Sequence, residues 1–284
     1  NITIVPEIEM PGHSAAAIAA YPWLSCTQQP QSTITGGVYP PNFQSVYDVS
    51  NDSVFTFLEN VLTEVMQLFP SKYIHVGGDE VDKTPWKNDP RCQELMKKLG
   101  DTSVDQLQSY FIDRIEKFLI AHHRKLIGWD EILEGGLAPE ATVMSWRGED
   151  GGIKAAKMKH DVVMTPGTPL YFDHYQAGPA GEPEAIGGFN TLKMVYDYSP
   201  IPKELDSADA KYVLGAQANV WTEYIPTVSQ LEYMVLPRML ALSEVLWTPK
   251  ENRNYVDFYN RLQNQFRVFG ENGFNYCPGN FTGT

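Results

Sequence analysis

YIHVGGDEVDKTPW, residues 73–86, begins as a strand, breaks at Gly77 and Gly78, and then presents two adjacent carboxylates, Asp79 and Glu80. Tyr73–Val76 is short and apolar, the pattern of a parallel strand buried on both faces. Side chains alternate along a strand, so neighbours would normally point to opposite faces. The glycines relax that rule, because glycine adopts positive φ at little steric cost. Both acids can then enter one site from the same side. The plain alternative is an acidic turn after a strand.

Runs of the same kind occur at Ile2–Ile8, Lys125–Trp129, Thr142–Ser145, Val162–Thr165 and Tyr212–Ala218. Between them lie helical patterns. SVFTFLENVLTEVMQLF (53–69) places Phe55, Leu58, Leu62, Val65 and Phe69 at helical spacing, with Asn51 or Asp52 as N-cap. SVDQLQSYFIDRIEKFLIAHH (103–123) is a second long amphipathic helix. SQLEYMVLPRMLALSEVLW (229–247) is a third, kinked near Pro237. The last, from Val256, is expected to stop near Gly270. Strand–helix alternation predicts an α/β protein with a parallel sheet.

No strand is followed by GxGxxG, so a dinucleotide fold is excluded. Reactive residues follow nearly every strand instead, as on the catalytic face of a (β/α)8 barrel. Such a barrel needs eight strands and six are legible. The expectation is one catalytic barrel domain over residues 1–284 whose first two βα units are missing. NITIVPEIEM opens directly in a core strand without an initiator Met, as a fragment or processed chain would. The alternative places two unread strands in the long loops Ser25–Ser50 and Pro166–Gly188.

The formal net charge of −13 argues against nucleic acid or an anionic membrane as partner. No run of about eighteen apolar residues predicts a membrane span. Cys26, Cys92 and Cys277 show no metal-ligand spacing. A Cys26–Cys92 bridge and free buried thiols are both open.

The strand ends carry Glu7, Glu9 and His13; Asp79 and Glu80; Trp129, Asp130 and Glu131; Trp146 and Arg147; Tyr171 and Asp173; and Trp221 and Glu223. One tryptophan alone would be a packing residue. Three after separate strands, among carboxylates able to accept from sugar hydroxyls, suggest a saccharide pocket. A retaining pair of carboxylates must flank the anomeric carbon about 5 Å apart, which consecutive residues do poorly. One acid would then protonate the leaving oxygen, and the nucleophile would come from the substrate. Trp86 is read either as part of a leaving-group subsite or as packing.

PEIEMPGH (6–13), HVGGDE (75–80), GWDEI (128–132), SWRG (145–148), YFD (171–173) and QANVWTEY (217–224) occur in this order. In that ordered set the chain resembles the catalytic domain of glycoside hydrolase family 20, the β-N-acetylhexosaminidases, from about Val5 to Tyr276. The resemblance implies a β/α barrel and exo-hydrolysis, with retention, of terminal β-linked N-acetylglucosamine or N-acetylgalactosamine. It implies attack by the substrate's own acetamido oxygen, forming an oxazolinium ion.

By the same resemblance, Glu80 is the general acid/base and Asp79 binds the acetamido N–H. Tyr171 hydrogen-bonds the acetamido oxygen. Trp129, Trp146 and Trp221 wall the sugar. Asp173 and Glu223 bind hydroxyls, and His13 tunes the proton of Glu80. No cofactor or metal is implied, and a secreted or periplasmic setting is. The family's sugar-gripping arginine and histidine-backing aspartate have no counterpart here, and Glu9 stands where the family often has aspartate. Two other classes compete: a metal-dependent hydrolase using His13, His75, Asp79 and Glu80, and a non-catalytic saccharide-binding barrel fragment. The residues do not decide the sugar epimer or the oligomeric state.

Overall fold

The computed structural model describes residues 2–34, 43–178 and 180–279, which fall into two compact units, one ending at Met144 and the other beginning at Ser145. In the first unit the long helices form where local signals demand them. The Asp52–Leu68 helix starts at Asn51, whose side chain accepts from the Ser53 N–H. The Val104–Ala121 helix starts with a reciprocal capping box between Ser103 and Gln106. One buries Val54, Phe55, Leu58 and Leu62; the other buries Leu107, Phe111, Ile112, Ile115 and Leu119. The two stripes meet at Phe55 and Phe111, with ring centroids 4.9 Å apart.

Beside them run three parallel strands, β1 (Tyr73–His75), β2 (Lys125–Trp129) and β3 (Thr142–Ser145). Ile74 pairs with Leu126, and Gly128 with Val143. Regular pairing of β1 ends at His75, but Val76 donates to Ile127 O and Trp129 to Gly77 O. Pairing with β2 therefore persists through residues 76 and 77 before the chain leaves the sheet.

The stretch expected as a strand over Ile2–Ile8 is a correction. It is bound to β1 through a single parallel bridge between Glu7 and His75. His75 donates to Pro6 O, Ile8 to His75 O and Met10 to Val76 O. Ile2 and Ile4 are 93% and 64% exposed. Apolar character alone does not make a strand; a ladder partner does.

In the second unit, β4 (Val162–Met164) and β5 (Val213–Ala216) are parallel, with a register shift after Val162. Ser145, the last residue of β3, accepts from the Thr165 N–H at 3.0 Å. The expected kink at Pro237 is a full break, with helices Val228–Val235 and Arg238–Trp247 on either side. The final helix, Tyr255–Asn272, runs past Gly270 and stops at Gly273, which takes φ 73°. Phe274 N–H then closes on Phe269 O at 3.0 Å.

Arg238 is fully buried and donates to the carbonyls of Asn190, Phe172 and Met234. The Cys26 and Cys92 sulfurs lie 3.9 Å apart, unbonded, and Cys277 is free as well. Among the described residues, no helix is long and apolar enough to cross a membrane. Of the long loop Ser25–Ser50, residues 35–42 lie outside the described residues.

Candidate active site

The turn after β1 is left-handed for most of its length. Gly77, Gly78 and Glu80 have φ of 68°, 94° and 49°. A Cβ on Gly77 would overlap the Glu9 carboxyl, and one on Gly78 would run into Ile132. Glycine is required at both positions by space as well as by φ. Positive φ at a glutamate is uncommon and needs surrounding structure to hold it. Its effect here is to turn Glu80 back beside Asp79.

Both carboxylates meet one imidazole. His13 Nε2 lies 3.3 Å from Asp79 Oδ2 and 3.3 Å from Glu80 Oε2. His13 itself has φ 44°, so it too is set in a left-handed turn. Its pKa is raised, chiefly by the hydrogen bond to Asp79 and then by the charges of Asp79 and Glu80, against the opposing effect of burial. Asp79 is mostly covered, with its side chain 16% exposed, whereas that of Glu80 is 60% exposed. One acid is seated and the other reaches solvent.

Glu7 Oε1 accepts from Trp129 Nε1 at 3.0 Å and lies 3.2 Å from His75 Nδ1. The Trp129 and His75 rings stack obliquely at 4.6 Å. His75 is thus turned toward Glu7 and the Gly77 N–H, which lies 3.0 Å from its Nδ1. The four-ligand set His13, His75, Asp79 and Glu80 is not brought together. Of these four, His13, Asp79 and Glu80 place ligand-type atoms within 4.8 Å of one another.

Trp86 is completely buried and donates to Tyr47 O at 2.8 Å, so it is a packing residue. Trp86→Ala is expected to destabilise the protein by about 3–5 kcal/mol, as truncation of a buried aromatic does, measured by urea unfolding.

The second unit gathers the remaining expected residues. Tyr171 bridges to Asn219 in parallel fashion, and Phe172 N–H donates to Asn219 O at 2.8 Å. This pairing sets Tyr171–Asp173 alongside Asn219–Trp221. Trp146 stacks on Tyr171, centroids 6.2 Å apart and rings inclined by 27°. Asp173 is 3% exposed, and its pKa is pushed up to about 6, first by burial and then by the Glu223 charge, with Arg238 and backbone N–H groups opposing. Its buried Oδ1 has no hydrogen-bond partner among the described residues. Glu223 and Trp221 are exposed.

Parallel strands ending in carboxylates and aromatic rings are the arrangement of an enzyme domain of the β/α-barrel class. The chain belongs to glycosyl hydrolase family 20, whose catalytic-domain profile matches residues 1–250. It is 53% identical over 277 residues to a β-hexosaminidase of Porphyromonas gingivalis, covering 97% of this chain and 35% of that relative. A β-hexosaminidase of Vibrio furnissii is 35% identical over 247 residues, covering 86% of this chain and 40% of the relative. The chain thus spans well under half the length of these curated relatives. Among solved structures, the exo-β-N-acetylglucosaminidase of Vibrio harveyi in complex with N-acetylglucosamine superposes with a TM-score of 0.83 at 31% identity. That match covers 97% of this chain and 43% of the other. The β-N-acetylhexosaminidase of Bacteroides fragilis gives 0.83 at 30%, covering 98% and 55%.

Proposed function

We propose that this chain serves as the catalytic domain of an exo-acting, retaining β-N-acetylhexosaminidase that releases terminal β-linked N-acetylglucosamine or N-acetylgalactosamine. The observation that carries the reading is the convergence of Asp79 and Glu80 on His13 Nε2. Acid and nucleophile of an ordinary retaining pair must stand on opposite sides of the anomeric carbon. Two acids sharing one imidazole stand on the same side. The nucleophile is then supplied by the substrate, whose 2-acetamido oxygen attacks the anomeric carbon as the glycosidic bond breaks.

In this mechanism the exposed Glu80 gives its proton to the leaving oxygen and later takes one from water. The covered Asp79 accepts from the acetamido N–H and balances the positive charge of the oxazolinium ring. His13 touches both acids and tunes the proton of Glu80. Tyr171 donates to the acetamido oxygen, and Asp173 and Glu223 accept from sugar hydroxyls. Trp129, Trp146 and Trp221 offer apolar ring faces to the sugar and its acetamido methyl. A secreted or periplasmic setting belongs to the same reading and rests on the family resemblance.

The test is turnover of chromogenic N-acetylglucosaminide and N-acetylgalactosaminide, with the anomer first released followed by proton NMR. β-Anomer is expected from at least one of them; release of the α-anomer overturns the reading. Because His75 is turned away from His13, Asp79 and Glu80, a metal-dependent mechanism has only three of its four ligands in place. Addition of a chelator is expected to leave kcat unchanged, and a loss reversed by a divalent cation would favour the metal route.

A further inference from the structure

A second group of ligand-type side chains gathers in the first unit, separate from His13, Asp79 and Glu80. Cys26 follows the short turn Pro22–Leu24, Asp48 precedes the Asp52–Leu68 helix, and Cys92 lies in the first turn of the helix Pro90–Leu99. Cys26 Sγ and Cys92 Sγ are 3.9 Å apart, and Cys92 Sγ is 3.7 Å from Asp48 Oδ1. All three residues place a ligand atom within 4.8 Å of the others. Cys92 and Asp48 are fully buried, and Cys26 is partly open to solvent.

These spacings match the edges of a metal tetrahedron. With Zn–S of about 2.3 Å and Zn–O of about 2.0 Å, two sulfurs stand about 3.8 Å apart, and a sulfur and an oxygen about 3.5 Å. A disulfide requires about 2.05 Å, roughly half the separation found. The surroundings also hold the ligands in place. Asp48 N–H donates to Leu24 O at 2.8 Å, and Asp48 Oδ1 accepts from the Ser50 N–H and hydroxyl at 2.9 and 2.6 Å. Arg91 Nη2 lies 3.0 Å from Asp48 Oδ2 and donates to Cys26 O at 2.8 Å. The Asp89 carboxylate, 2.7 Å from the same nitrogen, fixes Arg91 in turn.

We propose that Cys26, Asp48 and Cys92 form a structural site for one thiophilic divalent cation of the zinc type, which ties the segments around Cys26 and Asp48 to the helix Pro90–Leu99.

The donor set selects the cation. Magnesium and calcium take oxygen ligands, whereas a pair of thiolates favours zinc, and the carboxylate oxygen suits zinc better than copper(I). Two thiolates and one carboxylate around a dication leave a net negative charge, and the Arg91 guanidinium faces it. Three ligands gather among the described residues, so water completes the tetrahedron from the open side of Cys26. The hydrogen bond with Cys92, then burial and the charges of Asp48, Cys92 and Asp89, raise the Cys26 pKa, so the cation displaces thiol protons as it binds. Cys92 lies forty-four positions from Asp48 and sixty-six from Cys26, too far apart for any spacing motif to show the site.

The test uses cobalt(II) as a spectroscopic substitute for zinc, added to reduced, chelator-treated protein. One equivalent is expected to bind, with sulfur-to-cobalt absorption and the intense visible bands of a tetrahedral site. Cys26→Ser and Cys92→Ser are each expected to weaken binding roughly 100-fold or more, and Arg91→Gln roughly 10- to 100-fold, as loss of a ligand-orienting group does. Cys277→Ser, in the second unit beside Glu182, should change nothing. Zinc is expected to raise the melting temperature of the wild type and not that of Cys26→Ser. A chelator should lower it and leave kcat unchanged, because none of these ligands belongs to the His13, Asp79 and Glu80 group.

No cobalt uptake by the wild type, uptake that Cys26→Ser and Cys92→Ser leave unweakened, or a Cys26–Cys92 disulfide in protein purified with zinc present would each overturn the proposal. If the buried Cys92→Ser variant does not fold, the partly exposed Cys26→Ser still decides.

Discussion

Glu80→Gln is expected to lower kcat roughly 100- to 10,000-fold on an N-acetylhexosaminide with a poor leaving group, the range of a lost general acid. The side chain is isosteric and 60% exposed, so the fold should be untouched. The loss should shrink as the leaving group becomes more acidic, because an activated phenolate needs little protonation. The measurement is kcat/KM against leaving-group pKa. A steeper dependence in the variant than in the wild type is expected; parallel lines would remove Glu80 from proton transfer. The return step from water should also slow, because in the proposed mechanism the same carboxylate is the base there.

Asp79→Asn carries the second large effect. The amide keeps the volume but not the charge that, in the proposed mechanism, balances the oxazolinium ring. Loss of one such electrostatic contact typically costs about 100- to 1,000-fold in kcat. Binding of a thiazoline mimic should weaken with it, because the mimic presents the cyclised group that Asp79 would hold in that mechanism. Full activity in Asp79→Asn would sink substrate assistance as the mechanism. A second readout is independent of turnover. The Asp79 hydrogen bond is the largest cause of the raised His13 pKa, so the His13 imidazole should titrate at lower pH in this variant. In Glu80→Gln, which removes a smaller contribution, the shift should be smaller. Proton NMR of the imidazole resonances measures both.

The helices were the most legible part of the fold. Asn51, and Ser103 with Gln106, are capping signals a few residues long, and they act where the sequence places them. The limits of such signals show at the carboxyl end. Gly270 and Gly273 are the same residue type, yet only Gly273 takes the left-handed cap, because the chain beyond it packs Phe274 back on Phe269. The first strand shows the same limit in another form. Ile2–Ile8 has the composition of a strand, but Ile2 and Ile4 are exposed and the pairing begins only at Pro6. Trp86 reads equally well as a subsite wall or as core, and only its burial against Tyr47 chooses.

The candidate site divides along the same line. Two acids after two glycines, a histidine at the end of PEIEMPGH, and aromatics after later strands are residue types at spacings, visible without coordinates. Left-handed backbone at Glu80 is not, since glutamate is not a residue type that asks for it. Glu9 was visible only as a departure from a family pattern. Its contact with the Gly78 N–H joins residues sixty-nine positions apart. By itself the sequence determined the α/β class, the family, and which acids stand side by side at 79 and 80. Those follow from local periodicity, glycine placement and motif order. The tertiary structure alone decided that both acids share one imidazole and that the Glu9 carboxyl sits on the Gly78 N–H. Contacts between distant parts of the chain, such as those His13 makes with residues 79 and 80, arise only when the chain is folded.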